Sequence, residues 1–297
     1  MLSFKSTELS LQVRTMMRLA QGFVFIAVLF VGYSASAETN PSSAFRVCAD
    51  PNNPPNSVKN GEGFENEIAE LFAKSLGQKL EYTWFPQRLG FIRNTLKAKD
   101  PETERYKCDV VMGVPTGYEL TATTKPYYHS SFVMILKKGG QLNEIKEPGD
   151  LDKLSEAVKE NLKIAMFDGA PGTTWLLKHG LVGKGIPYQT MTGDVSLNAA
   201  EILSKDFKDN KINMVIIWGP MAAHILKADP SAYISFPMRS EPGLKFDFEI
   251  SMGVRIPDKD RKAQLDQLID QHKSEIQNIL DRYGVPLVQT QAQEFKN

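Results

Sequence analysis

The sequence predicts an exported α/β protein of two lobes, the second inserted into the first, with the chain crossing between them twice. Three observations carry this. A short apolar leader precedes everything else. A β-α-β-α-β pattern follows it and starts afresh after residue 150. A long strand and a final helix then lead back to the first lobe. Alternating strands and helices are the mark of parallel sheets with helices on their faces.

The leader comes first. Arg14 and Arg18 precede Leu19 to Val31, a mostly apolar run, and Ala35-Ser36-Ala37 matches a small-residue cleavage site. That order describes a signal peptide over residues 1–37, with Glu38 as the new N-terminus. The run is shorter than the roughly 20 residues a spanning helix needs. A retained membrane anchor is the other reading of the same stretch. The expected location is therefore periplasmic, with no membrane attachment after cleavage.

Composition bounds the rest. The 297 residues are 42% apolar and 24% charged, which suits globular lobes. Lys+Arg and Asp+Glu both number 35. Such a balance gives no reason to expect a nucleic acid or an anionic membrane as partner.

In the first lobe, Phe45 to Ala49 reads as a strand, followed by the Pro/Asn-rich loop Asp50 to Asn56. Phe64, Ile68, Leu71, Phe72 and Leu76 keep helical spacing, and Gly77 stops the helix. Leu80 to Phe85 is a strand, Leu89 to Leu96 a short helix, and Cys108 to Gly113 the next strand. The charged run Lys97 to Lys107 reads as a solvated loop. The first strand falls between the second and third, so Cys48 and Cys108 lie on neighbouring strands. In an oxidising compartment this favours one disulfide over two free thiols. Phe132 to Leu136 is a fourth strand.

The polar stretch Lys137 to Asp150 reads as the crossing. Beyond it, Lys163–Phe167, Tyr188–Met191 and Ile212–Trp218 read as strands. Helices are expected from Trp175, over Asn198–Phe207 and over Met221–Lys227. Phe246–Ile256 is a long returning strand. Asp258 then caps one long helix that runs to Tyr283, with Gly284 and Pro286 as its stop. The expected boundaries are 38–138 and 246–297 for the first lobe and 139–245 for the second.

Two such lobes face each other across a cleft, and ligands of parallel sheets collect at the C-terminal strand ends. The cleft candidates are Asp50, Asn53, Phe64, Trp84, Arg88, Thr116, Tyr118, Tyr127, Gly172, Thr173, Thr174 and Trp218. Asp50 serves either a ligand or an Asx turn. Trp84, Tyr118, Tyr127, Tyr128 and Trp218 serve either to stack on a flat ligand or partner, or to pack. Arg88 offers either a cleft cation or a surface ion pair. Gly172-Thr173-Thr174 is either an anion site before a helix or an ordinary N-cap. His129, His179, His224 and His272 lack metal-ligand spacing, and His272 falls on an apolar helix face. No nucleotide or zinc motif is present, so no cofactor is expected.

The chain resembles the type II periplasmic solute-binding proteins of family 3. Gly63-Phe64-Glu65-Asn66-Glu67-Ile68, Cys108 to Gly113, Lys125-Pro126-Tyr127-Tyr128, Lys163-Ile164-Ala165 and Gly172-Thr173 carry the resemblance. Within that family it looks similar to the MoxJ/XoxJ group, on Arg46 to Asn53, Trp84-Phe85-Pro86-Gln87-Arg88, Cys108 to Pro115 and Trp218-Gly219-Pro220. The resemblance implies a type II periplasmic binding protein fold. It also implies an accessory role in maturing or activating a quinoprotein methanol dehydrogenase as partner.

One departure matters. Amino-acid-binding members hold the ligand carboxylate with an Arg before the Pro-Tyr motif and the ammonium with an Asp after the buried second-lobe strand. Here Pro115 to Thr124 contains no Arg, and the strand ends in Trp218-Gly219-Pro220. A free amino acid would bury unpaired charge. No standard amino acid is expected to bind tighter than about millimolar, or ~4 kcal/mol. Micromolar binding by calorimetry would overturn that expectation. Two other classes stand beside the accessory role. One is an ABC-transporter receptor for a non-amino-acid solute. The other is a dehydratase-like enzyme, for which Asp50, Glu65 and Arg88 are the nominees.

Overall fold

A sixteen-residue strand, Ala122–Lys137, runs through the middle of the molecule and organises it. The computed structural model describes residues 44–189 and 196–288. The signal segment expected over 1–37 lies outside the described residues, as does the end of the strand expected over Tyr188–Met191.

The strands in chain order are β1 (Phe45–Ala49), β2 (Asn52–Asn53), β3 (Ser57–Val58), β4 (Leu80–Trp84), β5 (Val110–Pro115), β6 (Ala122–Lys137), β7 (Ile164–Phe167), β8 (Gly185–Tyr188), β9 (Met214–Trp218), β10 (Tyr233–Pro237) and β11 (Asp247–Val254). The helices are α1 (Phe64–Ser75), α2 (Phe91–Asn94), α3 (Glu156–Lys159), α4 (Pro171–Lys178), α5 (Ala199–Lys208), α6 (Gly219–Ala228), α7 (Lys259–Gln271) and α8 (Lys273–Arg282). The main sheet runs β4-β1-β5-β11-β6-β9-β7-β8, with β10 added to β6.

Pairing divides the sheet into two halves. β1 lies parallel between β4 and β5. β7 lies parallel between β8 and β9. β6 pairs antiparallel with β11 over Ala122–Ser131, and then with β9 and β10 over Phe132–Lys137. The change of partner falls at Ser131–Phe132, before the polar stretch from Lys137. The strand is longer than the five residues its apolar pattern marks because its first part is polar and contains Pro126. That proline sits opposite Ser251, at a register shift between β6 and β11. A bulge is where a strand tolerates a residue with no N–H to donate.

Separate apolar cores fill the two halves. Val47, Phe64, Ile68, Phe72, Met112 and Leu268 belong to one cluster in the first half. The second half packs one cluster around Trp175, Met214 and Phe246 and another around Leu203, Phe207 and Val215. β9 is buried at all but its last position and β5 over Val110–Met112 and at Val114, as strands covered on both faces must be.

Cys48 and Cys108 are bonded, with Cα atoms 5.4 Å apart, and both are buried with Phe91, Ile92 and Leu96. Beside them Asp109 takes Nε and Nη2 of Arg46 at 2.9 Å each and Nη2 of Arg255 at 2.8 Å. Arg255 also donates to the carbonyls of Leu96 and Cys108 and stacks under the Tyr106 ring. A buried carboxylate is tolerated only when its acceptors are met in this way.

Asp258 is the N-cap residue of α7, as the sequence suggests, but its side chain pairs with Arg255 at 2.6 Å and makes no capping hydrogen bond. One sequence expectation needs correction. The single final helix is two helices, α7 and α8, interrupted at His272 (φ −109°, ψ 23°). His272 does pack, with its ring 6.1 Å from Phe72 and Nε2 3.0 Å from the Ser75 hydroxyl. No helix among the described residues is long and apolar enough to cross a membrane.

Candidate functional site

The C-terminal ends of the parallel strands converge on a cavity of about 310 Å³. Asn56 reaches it from the loop after β1, Gln87 from the segment after β4, and Gly113 to Pro115 from β5. Trp218 closes it from the end of β9. The two connecting strands supply Tyr128 and Phe132 from β6 and Phe248 and Ile250 from β11. A second hollow of about 280 Å³, before α4, shares Phe132 and Trp218 with the first. Phe132 and Trp218 thus form a wall common to both hollows.

Its walls are mostly aromatic. Phe132 lies 5.5 Å from Trp218 and 6.4 Å from Phe248, and Trp218 lies 6.0 Å from Phe248. The three ring planes meet at 59–71°, like three sides of a box. Edge-to-face contact of this kind adds to the gain from burying the rings.

Among the described residues one carboxyl lines this cavity, that of Glu65, in the first turn of α1. Its placement follows from the chain around it. Phe64 and Glu65 donate their amides to the carbonyls of Pro55 and Asn56, which anchors the helix start to the loop after β1. Asn66 accepts from the amides of Val58 and Gly63 and donates to the Tyr82 hydroxyl. The Glu65 carboxyl then lies over Gly113. A Cβ at residue 113 would come within 2.3 Å of Oε1, so glycine leaves the room this carboxyl occupies. Among the described residues the carboxyl has no hydrogen-bond or ion-pair partner. Burial, reinforced by the charge of Asp50, pushes its pKa up to about 8. At neutral pH it is therefore mainly a neutral acid, with a proton available to donate to a ligand.

The sequence candidates are distributed as follows. Trp218 lines the cavity. Asp50 stands behind Glu65 and is spent on the backbone, with Oδ1 accepting from the amide of Asn52 at 2.8 Å and Oδ2 from that of Gln87 at 2.6 Å. Asn53 donates to the Gln87 side chain at 3.1 Å. Phe64 is buried below, edge-on to Tyr128 and Tyr283. Tyr127 is buried against Tyr128. Trp84 stacks on Tyr82 at 4.4 Å. Thr116 bonds to Ser251 beside a separate polar hollow with His129 and Asp247. Tyr118 is exposed on the turn after β5. Neither Tyr118 nor Arg88 lines the cavity.

Gly172, Thr173 and Thr174 do not precede a helix. They form the first turn of α4, which begins at Pro171. The amides of Thr173 and Thr174 both point to the carbonyl of Ala170, and the Thr173 hydroxyl donates to that of Phe167 at 2.6 Å. Gly172 is buried against Ile216, where a Cβ would meet that side chain at 2.8 Å. These groups serve the local turn and the packing of α4 on β9.

Gln87, Phe132, Phe248 and Ile250 were not among the sequence candidates, and Glu65 was nominated only in the catalytic reading. They come from separate stretches of the chain, and the pairing of β6 with β11 brings Phe132 close to Phe248 and Ile250. Among the described residues, no cluster of His, Cys, Asp and Glu is arranged to hold a metal.

The comparisons agree with this geometry. No protein-family model matches the chain. The crystal structure of the periplasmic binding protein XoxJ from Methylobacterium extorquens AM1 aligns with a TM-score of 0.64 at 33% identity, covering 83% of this chain and 100% of that one. Protein MoxJ of Methylorubrum extorquens is 27% identical over 270 residues, 86% of this chain and 85% of that protein. Protein MoxJ of Paracoccus denitrificans is 23% identical over 284 residues, 89% and 98% of the respective chains. The strand order, the two connecting strands and the full-length identity to XoxJ together show that the chain belongs to the MoxJ/XoxJ group and has the type II periplasmic binding protein fold.

Proposed function

We propose that this chain is a periplasmic, solute-binding-like accessory protein that assists maturation or activation of a PQQ-dependent methanol dehydrogenase and is not itself an enzyme. The observation that carries the reading is the 33% identity to XoxJ over the whole of that chain. The cleft supports it, since among the described residues no Lys or Arg lines the cavity to grip an amino-acid carboxylate. The lobes in this reading are 38–138 with 246–297 and 139–245, hinged where β6 and β11 pass between the halves. A hinged binding protein that has lost its ionic grips retains a surface able to recognise a partner in one of two shapes.

The test is capture. The tagged protein is expressed in its native host on methanol, and the periplasm is passed over the tag resin. The expected result is co-elution of the quinoprotein methanol dehydrogenase in near-stoichiometric amount. A periplasmic eluate without the dehydrogenase contradicts the proposal. A second reading, a receptor for an ABC transporter of a non-amino-acid solute, draws on the aromatic cavity. It predicts a small-molecule hit that raises the unfolding temperature by mass action.

A further inference from the structure

We propose that the aromatic cavity is a binding site for a small organic cation, of the substituted-ammonium class, with Glu65 as its counter-charge. The inference goes beyond the accessory role and stands whether or not a dehydrogenase docks.

The case rests on the shape and charge of the cavity. Phe132, Trp218 and Phe248 wall it on three sides, and Tyr128 adds a fourth ring. The negative face of an aromatic ring attracts a cation, and several rings around one space select a compact, weakly hydrated ammonium. Phe248 already shows this chemistry on the protein itself, with Lys245 Nζ 4.9 Å from its centroid. The volume of about 310 Å³ stands at the lower end for ligand pockets, roughly 300–1,000 Å³, and so suits a compact ligand.

The groups around Glu65 are acidic, and the cation at the cavity wall is Lys245, over the Phe248 ring. Asp50 faces Glu65 from the end of β1, and the phenols of Tyr82, Tyr127 and Tyr128 face it from β4 and β6. Among the described residues that line the cavity there is one carboxyl, Glu65, and no Lys or Arg, so an anionic ligand would meet no counter-charge there. A cation relieves the strain of the same arrangement, because it compensates an ionised Glu65 that burial and Asp50 otherwise hold protonated. Binding is then coupled to release of the Glu65 proton, and affinity rises with pH up to about 8.

Isothermal titration of the full-length mature protein tests this, with choline and tetramethylammonium as probes. The control is the uncharged analogue of choline in which carbon replaces nitrogen. The expected result is that choline binds at least about tenfold tighter than its neutral analogue. Its affinity should rise at least about tenfold from pH 6 to pH 8.5. Glu65→Gln and Trp218→Ala should each weaken it about tenfold or more, with circular dichroism showing both variants folded. Equal binding of the neutral analogue overturns the proposal, as does an unweakened Glu65→Gln. Absence of heat up to roughly 10 mM probe does so as well.

Discussion

Replacing Glu65 by Gln is expected to make the protein more stable, and by an amount that grows with pH. The carboxyl keeps its proton to about pH 8 in the native state, against an ordinary value of 4.5. Its native pKa is raised, so the folded state binds the extra proton. Stability from this group is complete below about pH 4.5 and falls as pH rises through 8. Glutamine is neutral throughout and suffers no such fall. Urea unfolding at pH 5 should find the two proteins within about 1 kcal/mol of each other. At pH 8.5 the variant should be about 3 to 4 kcal/mol more stable, allowing for the partial exposure of the carboxyl. A gap that does not change between the two pH values would mean that Glu65 is ordinarily ionised and that the electrostatics of the cleft are misjudged.

Replacing Cys48 and Cys108 together by Ala should cost about 4 kcal/mol. The bridge closes a segment of 60 residues, and the loss of loop entropy from the unfolded chain scales with the logarithm of that length. The segment includes α1, β4 and α2, and the bond ties β1 to the start of its neighbour β5. Alanine keeps the site apolar among Phe91, Ile92 and Leu96. Urea unfolding with and without reductant measures the effect. The wild type should fall towards the double variant when reduced, and the double variant should not respond. A loss below about 1 kcal/mol would show that packing and the Asp109 ion pairs hold this edge without the bond.

Much of the scaffold was legible because its elements keep one period and bury one face. α1 shows Phe64, Ile68 and Phe72 at helical spacing, and all three are fully buried. Met214 to Trp218 is an uninterrupted apolar run because β9 is covered on both sides. The break at His272 was not legible because the apolar positions continue through it, from Leu268 and Ile269 to Ile276 and Ile279. The first part of β6 was not legible because its residues are polar and Pro126 argues against a strand; the bulge opposite Ser251 that admits it is a property of the pair.

The site was less legible than the scaffold, for a physical reason. An acidic residue in the first turn of a helix ordinarily complements the helix dipole in solvent, and Glu65 has that position in the sequence. What turns it into a cleft group is Gly113, 48 residues away, whose missing side chain leaves space for the carboxyl. Trp218 was legible since it ends a buried strand, where cleft residues of parallel sheets collect. Phe132, Phe248 and Ile250 belong to the connecting strands and become neighbours only when β6 and β11 pair. Trp84 and Tyr127 were reasonable candidates by the same strand-end logic, but each found an aromatic neighbour to pack on.

Deleting the gene in its methanol-growing host, then assaying methanol dehydrogenase activity and PQQ content in the periplasm, bears on the accessory role most directly. The account predicts normal amounts of dehydrogenase polypeptide with activity or bound cofactor reduced about tenfold or more, restored by the gene in trans. Wild-type specific activity and cofactor loading in the deletion strain would contradict it.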